Sequence, residues 1–432
     1  MDKQNVMRPV CAWCGNEIPE DDINIPIQAS KPHDDIYICY DCTKKIYMNK
    51  KLRKKREMFN QLRMQKGMVG KKGRRTPSDL KRHLDEYIIG QDKAKETLSV
   101  AIYNHYKMLQ LKSENEGGPE LEKTNILLIG PTGSGKTAML KVMAKALNVP
   151  FAIVDATSVT ASGYVGEDPE ICLQRLLLAA DGDVAKAERG IVYIDEIDKI
   201  ARKGENLSTT ADPSNEAVQQ ALLKILEGSL VDVPLKGSRK HPQADLVRIN
   251  TDNILFIVGG AFEGIDKIIA KRMRKGKASL GIGAELNIKD NHSYNDYILD
   301  ARVDDLKQFG MIPEFLGRLP VICPMQELSE EAFVSILTQP KNALLKQYQA
   351  LFEAENVELE FTESALKAVA HEAMKRKTGA RSLRAIMEEV LHDEMFALPD
   401  HTGVDTVIVD VDADEKFVVK EVKKDVEIQE AV

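Results

Sequence analysis

No stretch of this 432-residue chain is apolar for long enough to cross a membrane. The longest, Ile254–Phe262, falls well short of the roughly 20 residues that a bilayer helix needs. Met1–Val10 lacks an apolar core of roughly 7–15 residues, so no secretory leader is expected. Cysteine is scarce: six in a chain of this length do not make a disulfide scaffold, and four of them are grouped in CxxC pairs, which fits a reducing cytoplasm. There is no internal repeat. Nor is there a strong excess of either charge. The formal net charge of −7 speaks against a nucleic-acid binder by bulk composition. What remains, 43% hydrophobic and 29% charged residues, is ordinary for a globular protein of two to four domains at about 150 residues each.

Charge is nevertheless uneven. Between Lys44 and Arg75 there are fourteen Lys or Arg residues opposed only by Glu57, while the C-terminal third is rich in Asp and Glu. This basic, glycine-punctuated run reads as a linker over 51–78, after a cysteine-bearing head over 1–50. From Asp79 the pattern turns helical, with a long amphipathic helix expected from about Asp92 to Lys112.

The most informative segment is 125–137. Ile126–Ile129 reads as a buried parallel strand, and Gly130–Thr137 matches G-x-x-x-x-G-K-[ST]. Gly130, Gly133 and Gly135 let the backbone bend so that its amides converge on phosphate oxygens. Lys136 can reach the β and γ phosphates, the Thr137 hydroxyl can ligate Mg²⁺, and the helix starting near Lys136 adds its positive end. Nucleotide contact is expected along Gly130, Pro131, Thr132, Gly133, Ser134, Gly135, Lys136, Thr137 and Ala138.

Downstream, strands are expected at Phe151–Val154, Gly190–Ile194 and Ile254–Val258, alternating with helices near 136–147, 168–180, 214–227 and 262–274. This is the signature of a doubly wound α/β sheet. Ile191–Ile194 ends in Asp195 and Glu196, at the carboxyl edge where such sheets bind ligands. Asp195 can hold Mg²⁺, and Glu196 can orient or deprotonate the attacking water. Taken alone the pair is a solvated strand end; after a phosphate loop it reads as catalytic. Positive charge beyond Lys136 has two candidates, Arg318 in Ile312–Arg318 and Arg381 in Thr378–Arg381, although in isolation either would be a surface salt-bridge former. From Ser329 onward, helices are expected at 329–338, 340–355, 362–375 and 381–397, with short strands near Val357–Phe361, Thr406–Val411 and Phe417–Val422.

In the head, Cys11-Ala12-Trp13-Cys14 and Cys39-Tyr40-Asp41-Cys42 can present four thiolates to one tetrahedral Zn²⁺. The spacer of 24 residues is long, but its polar middle, about Asp21–Pro32, can loop out.

Taken together these segments resemble the AAA+ ATPases, and within them the ClpX-like protein unfoldases, over nearly the whole chain. The strings that carry the resemblance are Ile89-Gly90-Gln91, Gly130–Thr137, Ser162–Asp168, Ile194–Lys199, Arg239–Pro242, Gly259–Phe262, Ile312–Arg318 and Lys377–Arg381. It implies an AAA+ parallel sheet with helices on both faces over 79–325, a smaller α+β lid domain over 326–425, the zinc-binding head, and a frayed tail over 426–432. It implies that Ile88 and Ile89 line an adenine pocket, that Arg318 is an arginine finger on the neighbouring subunit's ATP, and that Arg381 is the sensor-2 arginine. A finger given in trans implies a homohexamer.

Gly163-Tyr164-Val165-Gly166 resembles the family's substrate-gripping pore loop. An aromatic and a β-branched residue between glycine hinges can hold any polypeptide without reading its side chains. Arg239, Lys240 and His241 match the pore-entrance loop, where positive charge favours an anionic peptide terminus. Adaptors are implied for the head.

The family carries an aromatic-tipped tripeptide that docks on a ClpP-type peptidase. Here the segment is Leu280-Gly281-Ile282, with Ile in place of the aromatic. Burying either side chain is worth roughly 1.5–3 kcal/mol, so docking is expected with altered fit. A stand-alone remodeller stays open. A nucleic-acid motor using the basic linker is a further alternative, as is a non-enzymatic zinc adaptor, against which Asp195 and Glu196 argue. The expected cofactors are ATP, Mg²⁺ and Zn²⁺.

Overall fold

The computed structural model describes residues 75–114, 121–160, 168–201, 213–234, 246–277, 293–376, 378–400, 404–414 and 416–423. The cysteine head, the basic linker up to residue 74 and the tail therefore lie outside the described residues.

Seven strands occupy the first part of the described chain: β1 Ile126–Ile129, β2 Phe151–Asp155, β3 Ile191–Asp195, β4 Leu230–Pro234, β5 Leu246–Asn250, β6 Leu255–Gly260 and β7 Val321–Pro324. Five of them form a parallel sheet in the order β2-β3-β6-β1-β7. Alternate residues of the central strands, such as Leu127, Ile129, Val192, Ile194, Phe256 and Val258, belong to one cluster with the helices Ile171–Ala179, Pro213–Glu227 and Ile265–Lys277. By the two-residue period, Ile126, Leu128, Tyr193 and Ile257 face the other way. They are fully buried too, so both faces are covered, which is why these strands read as unbroken apolar runs. The helices Asp92–Glu114 and Lys136–Leu147 bury Leu98, Ile102, Met139 and Met143.

Strand β7 has no counterpart among the sequence expectations. Its four residues follow Pro320 and end in Pro324, and both prolines mask the strand signal. On a sheet edge, though, a terminal proline leaves no ladder donor missing, and β7 pairs with β1 from Ile126↔Val321 to Ile129↔Pro324. The antiparallel ribbon β4–β5 is also additional. It turns Val231, Val233 and Ile249 inward.

Strands β8 Glu358–Phe361, β9 Val404–Val411 and β10 Phe417–Lys423 form a separate sheet in the order β10-β9-β8. It packs with the helices Glu330–Thr338, Leu344–Glu353, Glu363–Lys375 and Arg381–Ala397 around Leu337, Phe352, Val369, Leu383, Met387 and Val407. Ser329 and Thr362 cap two of these helices, each hydroxyl accepting a backbone amide three residues on, at 3.2 Å. This is the α+β unit expected from the alternation after Ser329.

Candidate functional site

The glycine-rich turn sits at the carboxyl end of β1, between β6 and the edge strand β7. Gly133 (φ +78°) and Gly135 (φ +100°) adopt left-handed backbone, which opens the loop and lets the helix Lys136–Leu147 begin directly beneath it. Gly130 donates to the Gly260 carbonyl at 3.2 Å, tying the loop to the end of β6. The Lys136 ammonium folds into the loop and donates to the carbonyls of Gly130 (2.6 Å) and Pro131 (3.0 Å). Burial pulls its pKa below the usual lysine value. The Arg381 charge pushes the same way, against the opposing carboxylates Asp195, Asp198 and Glu196. Lys136, Arg381 and these carboxylates therefore share one electrostatic site.

Asp195 lies across from the loop. Its Oδ2 accepts the Thr137 hydroxyl at 3.3 Å. A hydroxyl and a carboxylate oxygen side by side are the hard donors that Mg²⁺ takes, so the residues present fit the cation. The left-handed glycine turn at a helix N-terminus fits a polyphosphate in the same way. Glu196 follows in left-handed backbone (φ +57°), a conformation that costs a non-glycine residue about 1–2 kcal/mol. The turn leaves the Glu196 side chain exposed beside Asp195, whose Oδ1 accepts the Glu196 amide at 2.9 Å.

Two residues missed at the sequence level build the floor of the site. Gln91 is buried. Its side chain donates to the Gln326 carbonyl (2.8 Å) and accepts from the Gln326 amide (2.9 Å), and it reaches the Ser134 carbonyl at 3.4 Å. It thus joins the phosphate loop to the chain leaving β7. Its signal in the sequence is a polar residue next to Gly90, in the Ile89-Gly90-Gln91 string that carries the family resemblance. Lys95, 3% exposed, donates to the Asp85 carboxylate and to the Ile88 carbonyl, both at 2.7 Å. It fixes the half-buried Ile88–Ile89 segment.

The small unit closes on the loop backbone to backbone. Ala380 donates to the Gly133 carbonyl at 3.3 Å. A Cβ on Gly133 would lie 2.4 Å from the Thr378 carbonyl, and one on Gly379 would lie 2.6 Å from Gly133 Cα. The two glycines are the only residue type that permits this approach, and it sets Arg381 at the site. Gly379→Ala is expected to lower ATP turnover about tenfold or more, equivalent to ~1.4 kcal/mol, with the thermal midpoint barely moved. A steady-state ATPase assay checks this.

Arg318 is elsewhere. Its carbonyl accepts Asn125 Nδ2 at 3.0 Å, at the amino end of β1, and its guanidinium pairs with Glu227 at 2.8 Å. The four residues of β1 separate it from its own phosphate loop by about 13 Å at 3.3 Å per residue. The same buried Asn125 also donates to the Leu226 carbonyl (3.3 Å) and accepts the Phe256 amide (3.4 Å), anchoring the whole corner.

Tyr164 and Val165, Arg239, Lys240 and His241, Leu280, Gly281 and Ile282, and the four cysteines Cys11, Cys14, Cys39 and Cys42 all lie outside the described residues. Among the described residues no group of three or more His, Cys, Asp or Glu could hold a metal. The cysteines that are described, Cys172 and Cys323, are free and buried.

A cradle for a polyphosphate, hard ligands for its cation and an exposed carboxylate beside both define a P-loop ATPase, with a small α+β unit that brings an arginine to the site. Comparison with known proteins sharpens the class. Residues 121–322 match the family described as AAA domain (Cdc48 subfamily), and residues 328–405 match the C-terminal, D2-small domain of ClpB protein. The chain is 47% identical over 403 residues to the ATP-dependent Clp protease ATP-binding subunit ClpX of Borrelia duttonii (strain Ly). The alignment covers 93% of this chain and 90% of the relative, and the same figures hold for the protein of that name from Borrelia recurrentis (strain A1). The chain belongs to the ClpX family of AAA+ ATPases. It is an ATPase rather than a peptidase.

Proposed function

We propose that the protein is a homohexameric, ATP-driven protein unfoldase that threads substrates through a central pore and hands them to a ClpP-type peptidase. The observation that carries the ring is the placement of Arg318. A guanidinium at the amino end of β1 cannot serve the phosphate loop at the carboxyl end of the same strand, whereas a head-to-tail neighbour can receive it. Arg381, by contrast, works in its own subunit. In each turnover Lys136 and the loop amides would hold the phosphates, Thr137 and Asp195 would hold the cation, which would supply positive charge to the phosphates, and Glu196 would take the proton of the attacking water. Arg381 from the lid and Arg318 from the adjacent subunit stabilise the charge that develops. Ile88 and Ile89 would flank the base.

Motion of the lid on the Gly133–Gly379 contact would pass to the Tyr164–Val165 loop, which grips the polypeptide. Arg239, Lys240 and His241 would draw in an anionic terminus. The spacing of Cys11, Cys14, Cys39 and Cys42 supports a zinc-bound head that recruits substrates or adaptors. No described helix is long and apolar enough to cross a membrane, and a cytoplasmic setting is part of this proposal.

The test follows loss of a tagged fluorescent protein with ATP, with and without a ClpP-type peptidase. Tyr164→Ala is expected to keep its ATPase activity while unfolding about tenfold more slowly or not at all, a loss of ~1.4 kcal/mol or more in the pulling step. An unimpaired unfolding rate would remove Tyr164 from the grip. ATPase stimulation by DNA instead of by protein would favour the nucleic-acid motor. The Ile at 282 supports one second reading: unfolding with no gain in degradation on adding the peptidase would mean a stand-alone remodeller.

A further inference from the structure

Strand β3 is a core strand whose other members up to Ile194 are aliphatic: Ile191, Val192 and Ile194 are each at most 1% exposed. Tyr193 interrupts them, and it too is fully buried. A phenol brings a hydroxyl into the sheet, where a donor without a partner is costly. Packing alone would be served by Phe or Leu, so the oxygen calls for a reason.

Its partner is the carboxylate of the metal site. Residues two apart on a strand face the same side, and Tyr193 Oη donates to Asp195 Oδ1 at 2.9 Å. That oxygen also accepts the Glu196 amide at 2.9 Å. With two donors on Oδ1, rotation of the carboxylate is restrained, and Oδ2 is left facing the Thr137 hydroxyl at 3.3 Å.

The neighbouring strand is cut to fit. In the β3–β6 register Tyr193 pairs with Ile257 and Ile194 with Val258, so Gly259 comes next, alongside Asp195. The ring leans along its strand and crosses the space that a side chain at 259 would fill. A Cβ there would lie 2.4 Å from the Tyr193 oxygen and 2.8 Å from the ring. Gly259 does not have positive φ, so its backbone does not demand glycine; the phenol does.

We propose that Tyr193 is a positioning residue of the ATPase reaction. Its hydroxyl fixes Asp195 so that Oδ2 and Thr137 Oγ1 meet the cation together, and Gly259 is glycine to let it through. The inference rests on the reading of Asp195 and Thr137 as the cation's ligands.

Tyr193→Phe in the full-length chain removes one atom and keeps the packing. The Mg²⁺ concentration for half-maximal ATP hydrolysis is expected to rise about fivefold to tenfold, and kcat to fall severalfold, with the thermal midpoint and the binding of ATP in EDTA unchanged. Gly259→Ala is expected to give the same shift in Mg²⁺ dependence, and a smaller one when placed on Tyr193→Phe, because the closest clash has gone. Wild-type Mg²⁺ dependence in Tyr193→Phe overturns the proposal, as does a fall in thermal midpoint with no change in Mg²⁺ dependence. Asp195→Asn separates the two readings. If it abolishes hydrolysis while Tyr193→Phe behaves as wild type, only the role of Tyr193 fails. If Asp195→Asn itself keeps wild-type Mg²⁺ dependence, the assignment of the cation site fails.

Discussion

Glu196→Gln is expected to bind ATP with unchanged affinity and to hydrolyse it about a hundredfold more slowly or worse, a loss of about 2.7 kcal/mol in transition-state stabilisation. The substitution preserves size and leaves the left-handed turn intact, because the bond that holds the turn runs from the backbone amide of residue 196 to Asp195 Oδ1. Lys136, Thr137 and Arg381 keep their places, so the phosphates are still held. What is lost is an exposed carboxylate able to accept a proton from water. Nucleotide retention and phosphate release, measured on the same preparation, separate binding from chemistry. Near-normal turnover would show that another group takes the proton.

Arg318→Ala has the second large effect. An arginine finger accounts for roughly 10³–10⁵ in rate where it is supplied in trans, so the pure variant is expected to be almost inactive. The stronger test is complementation. Glu196→Gln subunits carry an intact Arg318, and Arg318→Ala subunits carry an intact Glu196. Co-assembled in equal amounts, about a quarter of head-to-tail interfaces would join the two intact groups, and hydrolysis should return in the mixture though neither variant shows it alone. A mixture as dead as its components would place Arg318 in its own subunit's site, or outside catalysis. The corner that presents it is tied by one side chain: Asn125 is buried and holds the Arg318 and Leu226 carbonyls together with the Phe256 amide. Its half-exposed partner Glu227 fixes only the direction of the guanidinium.

Most of the parallel sheet was legible because its strands are short apolar runs set between helices. The expected Phe151–Val154, Gly190–Ile194 and Ile254–Val258 each lie within two residues of the observed β2, β3 and β6. The helices expected at 329–338 and 362–375 are observed at Glu330–Thr338 and Glu363–Lys375, where Ser329 and Thr362 are the caps. Strand β7 escaped because one proline precedes it and another ends it, and only its partner β1 makes it a strand. The short helices Tyr294–Ile298, Val303–Phe309 and Pro313–Gly317 are too brief to show a period.

The sequence by itself determined the phosphate loop, the carboxylates after an apolar strand and the α/β alternation, because each depends on residues close enough in the chain for spacing to report their geometry. The tertiary structure alone decided which end of the sheet Arg318 occupies, that Gly379 meets Gly133, and that Tyr193 passes over Gly259 to reach Asp195. Asn125 and Arg318 are 193 residues apart. Contacts of that kind arise from how strands order themselves in a sheet and how closely two backbones can approach, and no local pattern of side chains encodes either.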